Sequence, residues 1–356
     1  MALQLEVVRS LSALEALAGS WERLAEAIGL PTLGHAWILA CAKALYPEDD
    51  LYVITLFLQG LLVGVVPLVL QHYAGISRLE LIGASALYEP SGLLYDSAES
   101  LDALLGSVLH ARKPVLLSRI PRACMSRLRA LAGRGVVMTG GASGTLAVPI
   151  ASSWNTYVEG LSPQRRYDLR RARRRAEAAG RVRIRVLSPQ PHQVDALFDD
   201  FVRIEATGWK ARNGSSLSHR HTLRAFFREY ARLVSQSGAA RFSFLDLNDT
   251  PIAAQFSVEY ANRLWVLKIG YDEAWSHCSP GWQLLAETMH DAFDRQLRSY
   301  EFLGTDEHWL HGWTTEERDF RTVAWYPATF SGLYGLAADT TRRVRARVAA
   351  RTHAQS

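Results

Sequence analysis

Residues 268–285 read KIGYDEAWSHCSPGWQLL, and this stretch decides how the fold is interpreted. An apolar strand ends at Tyr271, a polar turn follows, and Ser279-Pro280-Gly281 opens a helical pattern. Serine is a common N-cap, proline suits the first helical turn, and glycine lets a ligand approach the backbone closely. Because a helix N-terminus presents N–H groups and a positive dipole end, the junction predicts either a pyrophosphate site or a simple capped turn.

Length and composition limit the classes of protein to consider. A chain of 356 residues exceeds the usual size of one hydrophobic core, which predicts two domains. Its 48% hydrophobic and 21% charged residues are typical of a globular protein without large disordered regions. Three dispersed cysteines argue against a disulfide framework or a structural zinc site, and the N-terminus lacks an export-signal pattern. We therefore expect a reducing, cytoplasmic location.

One uncharged segment has two interpretations. Residues 51–70, LYVITLFLQGLLVGVVPLVL, are about long enough to span a bilayer as a helix. However, the first half is rich in strand-forming residues, Gln59-Gly60 is a turn signal, and Gly64 and Pro67 interrupt the second half. These features favour a buried β-hairpin over a transmembrane helix.

Positive charge is concentrated in one element. Ten arginines accompany two acidic residues between Ser162 and Arg185, although the whole chain has a net charge of only +5. Ser162 as N-cap, Pro163 in the first turn and Gly180 as terminator predict one helix over SPQRRYDLRRARRRAEAAG. The helix is either a phosphate cradle or a solvated face whose arginines pair with acids elsewhere. Nucleic acid is a weaker interpretation, because no recognition motif accompanies the arginines.

The order of predicted elements indicates two similar units. Residues 1–145 are predicted to form helices, a hairpin and further strands. Residues 146–335 are predicted to repeat this order, with helices, an antiparallel meander and a helix that crosses over to another strand. This pattern is typical of an α/β or α+β sandwich. Residues 142–153 are predicted as the linker, and residues 336–356 as a basic tail that is either solvated or in peripheral contact with a membrane.

Three segments resemble the GNAT-type acyltransferases of the cellulose-biosynthesis-associated (CelD) group, which are relatives of the FemAB-type aminoacyltransferases. The segments are FVRIEATGWKARNGSS (201–216), WVLKIGYDEAWSHCSPGWQLLAETM (265–289) and YEFLGTDEHWLHGW (300–313). The resemblance implies tandem GNAT-like domains, each a mixed, mostly antiparallel sheet flanked by helices. The chain departs from the group in having fewer glycines in the phosphate loop, and Trp309-Leu310 where a Tyr-Lys pair is common.

The same resemblance implies acetyl-CoA or another acyl-CoA as co-substrate. Its pantetheine would lie along a splayed strand at residues 264–271, and its pyrophosphate at the start of the next helix. The predicted cofactor-binding residues are Ile269, Gly270, Ser279, Pro280, Gly281, Trp282, Gln283 and Leu284. We predict no metal, because the pairs His219-x-His221 and His308-x-x-His311 lack a matched third ligand.

The chemistry of acyl transfer assigns roles to further residues. An amine that attacks a thioester needs a base, donors for the oxyanion and a proton for the leaving thiolate, and direct attack needs no covalent enzyme intermediate. We predict Glu205, Asp306 and Tyr271 as catalytic residues, with backbone N–H groups near Ile269 and Gly270 for the oxyanion. The predicted substrate-binding residues are Trp209, Lys210, Lys268, Glu307, Arg170 and Arg174.

Each of these side chains also has a structural interpretation. Glu205 would form a salt bridge with Arg203 or Lys210, and Lys268 would pair with Glu205 or Asp306. Asp306 and Glu307 would cap the next turn, and Tyr271 would serve packing.

Three functions therefore stay open. The favoured one is CoA-dependent N-acylation of an amine, such as an amino sugar, a polysaccharide precursor or a specialised metabolite. The second is aminoacyl transfer from tRNA in the manner of the FemAB enzymes, with the arginine helix holding tRNA or the phosphates of the acceptor. The third is a non-catalytic binding protein on the same fold.

Overall fold

The computed structural model describes residues 3–73, 75–208 and 216–353. Its strands are β1 (Leu3–Val8), β2 (Leu51–Leu58), β3 (Leu61–Tyr73), β4 (Ile76–Leu81), β5 (Leu94–Tyr95), β6 (Val115–Pro121), β7 (Gly135–Pro149), β8 (Val182–Leu187), β9 (Ala240–Leu247), β10 (Thr250–Tyr260), β11 (Arg263–Tyr271), β12 (Ser299–Phe302) and β13 (Glu316–Pro327). The described helices are α1 (Leu11–Ala16), α2 (Ala18–Ile28), α3 (His35–Leu45), α4 (Ala84–Leu87), α5 (Ala98–His110), α6 (Arg122–Leu131), α7 (Trp154–Gly160), α8 (Pro163–Ala179), α9 (Val194–Glu205), α10 (His221–Gln236), α11 (Pro280–Asp294) and α12 (Phe330–His353).

The contacts divide the chain into two compact units. The first contains residues 1–28, 46–143 and 319–356, and the second contains residues 29–45 and 144–318. This division differs in two places from the predicted boundaries, because α3 groups with the second unit and residues 319–335 group with the first. That the two units are independent domains stays a prediction.

In the first unit the strand order is β1-β2-β3-β4-β6-β13-β7, with β5 beside β3. The ladders from β1 to β4 and between β6 and β13 are antiparallel, whereas β4 and β6 are parallel. Between β4 and β6 the chain passes through α5, whose residues Leu104, Leu105 and Val108 are fully buried in the core. A parallel pair joined through a helix thus completes an otherwise antiparallel meander.

The uncharged segment 51–70 forms the antiparallel pair β2–β3, which confirms the hairpin prediction. Gln59 and Gly60 have φ values of 53° and 78°, as a two-residue type I′ turn requires. Among the residues that the structure describes, no helix combines the length and apolar character needed to cross a bilayer.

In the second unit the strand order is β7-β12-β11-β10-β9-β8. The ladders are antiparallel except that between β11 and β12, which are parallel and joined by α11. Leu285 and Met289 of α11 pack in one core with Leu264 and Val266 of β11. Helices on mixed, mostly antiparallel sheets in both units confirm the predicted fold class.

Helix α3 enters the second unit through aromatic packing. The ring of Trp37 lies 4.9 Å from the rings of both Phe226 and Tyr230 of α10, in edge-to-face geometry. Such pairs stabilise beyond the apolar area that they bury. A helix distant in sequence thereby supports α10.

Two segments predicted as a linker and a tail belong, wholly or in part, to regular elements of the structure. The proposed linker 142–153 contains the end of β7, which reaches Pro149 and pairs with β12. The proposed tail from residue 336 belongs to the long helix α12. Asp339 of this helix is 3% exposed and accepts hydrogen bonds from Arg78 and Tyr326 at 3.0 and 2.5 Å, which anchor α12 to the first unit.

The arginine-rich segment forms α8 with the predicted ends. The Ser162 hydroxyl accepts a hydrogen bond from the N–H of Arg165 at 3.1 Å, Pro163 is the first helical residue, and Gly180 is the C-cap. Ala172 and Ala176 are buried, while the remaining faces carry the arginines. The capping signals in the sequence therefore located this helix correctly.

Candidate functional site

Strand β11 extends beyond its parallel neighbour β12. The ladder between them pairs Arg263–Val266 with Ser299–Phe302 and ends there, while β11 continues to Tyr271 alongside β10. The register of β10 and β11 shifts at Leu267, which forms a bulge where β11 and β12 part. Residues 267–271 of β11 thus have no parallel neighbour strand among the described residues, whereas the resemblance implies a splayed strand over 264–271.

Helix α11 begins beside this opening. Its N-cap Ser279 has left-handed φ and ψ angles of 49° and 53°, and the serine side chain makes no capping hydrogen bond. The expectation of a serine cap is therefore wrong in its hydrogen bonding. The N–H groups of Trp282 and Gln283 turn back to the carbonyl of Ser279 at 3.1 and 3.2 Å, whereas that of Gly281 has no partner among the described residues. An N–H group and the positive helix end are left for an anion.

The corresponding crossover helix of the first unit starts differently. At the start of α5 the Ser97 hydroxyl accepts from the N–H of Ser100 at 3.1 Å, Asp96 accepts from the Ser100 hydroxyl at 2.7 Å, and Glu99 lies in the first turn. Filled caps and acidic side chains oppose anion binding. Helix α11 has no acidic residue in its first turn. Of these two helices, α11 is therefore the one suited to a phosphate.

Tyr271, at the end of β11, packs against the start of α11. A Cβ atom added to Gly281 would lie 3.2 Å from Cδ1 of the Tyr271 ring. Because this spacing is tighter than ordinary carbon contacts, any side chain at position 281 would push against the ring. The structure therefore brings together these two predicted site residues.

Other predicted cofactor-binding residues fix α11 in place. Gln283 is 4% exposed, and its Nε2 donates to the carbonyls of Ala172 and Cys278 at 3.2 and 2.7 Å. Leu284 is fully buried in the core, Pro280 is also buried, and Ile269 packs against a core cluster. These buried side chains thus fix the positions of α11 and β11.

Arg165 of α8 also lies at the start of α11 and was not singled out from the sequence. Its Cζ atom is 3.6 Å from the ring centroid of Trp282 and 5.4 Å from that of Trp313. Its Nη1 atom is buried and has no hydrogen-bond partner in the described part of the chain. Desolvation lowers the pKa of Arg165, yet a guanidinium keeps its charge at neutral pH. A cation is therefore present beside the helix start.

The local sequence makes room for this cation. A Cβ atom on Gly312 would lie 1.3 Å from Nη2 of Arg165, so a side chain at position 312 would displace the guanidinium from its present place. In sequence Arg165 is one of ten similar arginines, and nothing in its spacing marks it. Its proximity to Trp282 depends on the packing of α8 against α11.

The other arginines of α8 include both paired and unpaired side chains, and their predicted role as a phosphate cradle stays a prediction. Arg171 and Arg173 pair with acids of the same helix, Asp168 and Glu177, at 3.5 and 2.6 Å. The predicted ligands Arg170 and Arg174 are exposed and form no ion pair within the described residues. A groove of about 510 Å³ is lined by Trp154, Asn155, Val158, Glu159, Arg166 and Arg170.

Glu205 lies at the end of α9, against β11. The residue is 2% exposed, and its Oε2 accepts hydrogen bonds from the Ser216 hydroxyl and the Leu217 N–H at 2.9 and 2.8 Å. A Cβ atom on Gly270 would lie only 2.8 Å from Cα of Glu205. The predicted base and the predicted oxyanion strand are therefore neighbours, and glycine at position 270 permits the contact.

The structure also tests the salt-bridge alternatives. Arg203 pairs with Asp200 at 3.0 Å, so the alternative that joined it to Glu205 is wrong. The Nζ atom of Lys268 lies 5.0 Å from the ring centroid of Phe227, and no ion pair of Lys268 with either predicted acid is found in the described residues. Trp209 and Lys210 lie outside the residues that the structure describes.

Asp306 and Glu307 engage residues of the turn that follows β12. Oδ1 of Asp306 lies 2.7 Å from Nε2 of His311, and Oε2 of Glu307 accepts from Nε1 of Trp309 at 2.6 Å. Neither side chain caps the turn that begins at His308 through a hydrogen bond to its backbone. Within the described ranges, no group of three or more histidine, cysteine, aspartate or glutamate side chains is placed to hold a metal ion.

Solved structures of other proteins share the fold of this chain. Among solved structures, FemX is 13% identical with a TM-score of 0.60, covering 94% of this chain and 99% of that chain. The C-terminal domain of a protein assigned as a lysylphosphatidylglycerol synthetase from Agrobacterium fabrum is 11% identical with a TM-score of 0.57, covering 92% of this chain and 96% of that chain. A conserved protein of unknown function from Bacteroides thetaiotaomicron is 10% identical with a TM-score of 0.52, covering 90% and 99% respectively.

At these low sequence identities, the likeness is one of fold alone. No curated protein matches the chain by sequence. Residues 163–310 match the family model of the acetyltransferase (GNAT) domain. The segment that carries Glu205, the splayed strand and α11 is thus the part of the chain that matches this acetyltransferase domain.

Proposed function

We propose that the protein is a CoA-dependent N-acyltransferase, which moves an acyl group from an acyl-CoA to an amine acceptor. The observation that carries this proposal is the uncapped start of α11 beside a strand, β11, that extends beyond β12. The match of residues 163–310 to the acetyltransferase (GNAT) domain supports the same class of reaction. The finer similarity to the CelD group stays a prediction.

Acyl-CoA would bind along two adjoining features. The N–H of Gly281 and the positive end of α11 suit its pyrophosphate, and Arg165 adds a positive charge beside Trp282. The edge of β11 at residues 267–271, beyond the last pair with β12, suits the pantetheine amides. The thioester would then lie near Gly270 and Tyr271.

The chain's residues suit direct transfer in a ternary complex. The amine nitrogen forms a bond to the thioester carbonyl carbon, the C–S bond breaks, and CoA leaves as the thiolate. Because Oε2 of Glu205 already accepts two hydrogen bonds, Oε1 is the oxygen that we assign to take the proton from the amine. Tyr271 returns a proton to the thiolate, and backbone N–H groups near Ile269 and Gly270 stabilise the oxyanion.

The acceptor is proposed to be a small molecule or a glycan precursor with a primary amine. We assign Lys268, Glu307, Arg170 and Arg174 to its binding, with Asp306 as a further catalytic candidate. The groove beside Arg170 carries an aromatic ring and positive charge, which together suit a phosphorylated or nucleotide-linked amino sugar.

A second candidate is aminoacyl transfer from tRNA. The structural likeness to FemX and to a protein assigned as a lysylphosphatidylglycerol synthetase supports it, as do Arg170 and Arg174, which are exposed and form no ion pair with the residues that the structure describes. Replacement of Arg170, Arg171 and Arg174 together would then remove activity and flatten its salt dependence. If the protein is instead a non-catalytic binder, Glu205→Gln and Asp306→Asn would leave the biological phenotype intact.

Calorimetric titration of the full chain distinguishes these candidates. Acetyl-CoA and a longer acyl-CoA are the ligands, and pantetheine, which lacks the phosphates, is the control. Micromolar binding of either thioester, together with no detectable binding of pantetheine, supports the acyl-CoA site. Absence of binding to both thioesters would contradict the proposal and favour tRNA or a non-catalytic role.

A further inference from the structure

Helix α12 exposes three large apolar side chains in its first five residues and a fourth at Val344. Phe330, Leu333, Tyr334 and Val344 are 86%, 61%, 48% and 53% exposed. The rings of Phe330 and Tyr334 stack on each other with centroids 6.5 Å apart. Single exposed apolar residues are ordinary on protein surfaces, but several on one helical face mark an interaction surface.

These side chains share one face of the helix. Their spacing of three, four, seven and fourteen residues from Phe330 to Val344 places them along one stripe, and Ala337, seven residues after Phe330, is exposed on the same face. We call this set, Phe330, Leu333, Tyr334, Ala337 and Val344, the apolar face.

The opposite side of α12 is fixed to the first unit. A Cβ atom on Gly332 would lie 2.0 Å from the carbonyl oxygen of Pro327, and one on Gly335 would lie 2.9 Å from a side-chain carbon of Ile76. Arg78 and Tyr326 hold the buried Asp339, as described above. The helix is therefore anchored along one side, and it presents the apolar face outward.

Positively charged residues are concentrated in the C-terminal half of α12. Residues 340–353 contain five arginines and no acidic residue. Arg342 pairs with Asp339 at 3.2 Å, whereas Arg345 is exposed and forms no ion pair in the described part of the chain. Phenylalanine, leucine and tyrosine on one side with arginine at the flank are the composition of helices that lie in the plane of a membrane interface.

We infer that the apolar face of α12 docks on the surface of an anionic phospholipid bilayer. The aromatic and leucine side chains enter the interface between headgroups and acyl chains, and Arg345 contacts the anionic headgroups. A second copy of the chain would cover apolar side chains equally well, but facing copies of an arginine-rich helix would repel each other. The charge therefore favours the lipid surface. The contact is peripheral and would hold the protein beside a membrane.

Vesicle co-sedimentation of the full chain tests this inference. Vesicles of phosphatidylcholine alone are compared with vesicles that contain phosphatidylglycerol, using the wild type and a Phe330→Ser, Leu333→Ser, Tyr334→Ser triple variant. The matched control carries Leu5→Ser, Val7→Ser and Leu61→Ser, which alter side chains that are 45%, 41% and 58% exposed elsewhere in the first unit. Thermal unfolding of all variants establishes that they fold.

We expect the wild type to bind anionic vesicles. Binding should be at least about tenfold weaker in the α12 triple variant and should be retained in the matched control. Arg345→Ala should weaken it about fivefold, and Arg134→Ala, at an exposed site in the same unit, should not. Absence of vesicle binding, equal binding by the α12 variant, or equal binding to neutral vesicles would overturn the inference. So would a wild-type dimer, measured by light scattering, that the α12 variant converts to a monomer.

Discussion

The guanidinium group of Arg165 lies 3.6 Å from the ring centroid of Trp282, the third residue of α11. This stack places a cation at the helix start where the N–H of Gly281 has no partner among the described residues. A buried guanidinium nitrogen without a hydrogen bond costs stability, and an anion at the helix start would restore the missing interaction. The relationship joins α8 and α11 in one candidate phosphate site.

Replacement of this cation should weaken binding of the cofactor. We predict that Arg165→Ala lowers the affinity for acetyl-CoA about tenfold, because a charge-assisted interaction with phosphate is lost. Arg174→Ala, on the same helix and without an ion pair in the described chain, is the control and should keep the wild-type affinity. Calorimetry measures both. An unchanged affinity in Arg165→Ala would remove this residue from the site.

The close approach of Gly270 to Glu205 should make glycine necessary for stability. We predict that Gly270→Ala lowers the free energy of unfolding by about 1–3 kcal/mol, because the new Cβ would lie 2.8 Å from the Glu205 Cα and the backbone must shift. Gly106→Ala is the control, since a Cβ there meets nothing within 4 Å in a helix and should stabilise by about 0.5–1 kcal/mol. Denaturant titration compares them, and equal stability of both variants would show that the contact relaxes freely.

Catalysis by Glu205 can be separated from its contact with the neighbouring loop. Glu205→Gln retains an oxygen that accepts the Leu217 N–H but cannot take a proton from the amine. We predict unchanged acetyl-CoA binding and a loss of roughly 100-fold or more in thiol release with a reactive amine. Ser216→Ala removes one hydrogen bond to Oε2, keeps the carboxylate, and should cost less than about tenfold. If Glu205→Gln keeps the wild-type rate, another group is the base.

The ion pair between Asp195 of α9 and Arg232 of α10 should lose its stabilising effect at low pH. Hydrogen bonds from Arg232 to Asp195, at 3.0 and 2.7 Å, lower the pKa of Asp195. A carboxyl with a lower pKa in the folded protein stabilises the fold above its unfolded value of about 3.9, and this stabilisation is lost as the pH falls through the folded value.

We therefore predict that Asp195→Asn lowers the melting temperature at neutral pH and makes its decline below about pH 4 less steep than in the wild type. Asp200→Asn, which removes a carboxylate from an exposed pair with Arg203 on the same helix, is the matched control for the loss of one surface charge. Thermal unfolding across pH at constant ionic strength measures this. An acid decline in Asp195→Asn as steep as in the wild type would contradict the role of this pair.

Local signals in the sequence predicted much of the fold. Ser162, Pro163 and Gly180 located α8, and Gln59-Gly60 located the hairpin turn, because caps and tight turns depend on a few adjacent residues. Ser279-Pro280-Gly281 located the start of α11 in the same way. The left-handed backbone of Ser279, which turns its hydroxyl away from capping, is set by the surrounding packing and was not predictable.

Features that depend on distant contacts were missed. The place of α3 beside α10 rests on Trp37, which is far along the chain from its partners Phe226 and Tyr230. The choice of Arg165 among ten arginines rests on its stack with Trp282, and the anchoring of α12 rests on Asp339 with Arg78. Such pairings carry no period or spacing that one sequence reveals.

Binding of acetyl-CoA to two variants of Ser279 is the most direct test of the proposed cofactor site. The residue is exposed and left-handed, a conformation that Asn and Asp both tolerate, and its hydroxyl makes no capping bond. Ser279→Asp adds a negative charge beside the helix start, where it would repel the pyrophosphate, while Ser279→Asn has nearly the same shape without the charge. By calorimetry, we predict affinity at least about tenfold weaker for Asp and within about twofold of the wild type for Asn. Equal affinity of the two variants would contradict a pyrophosphate at the start of α11.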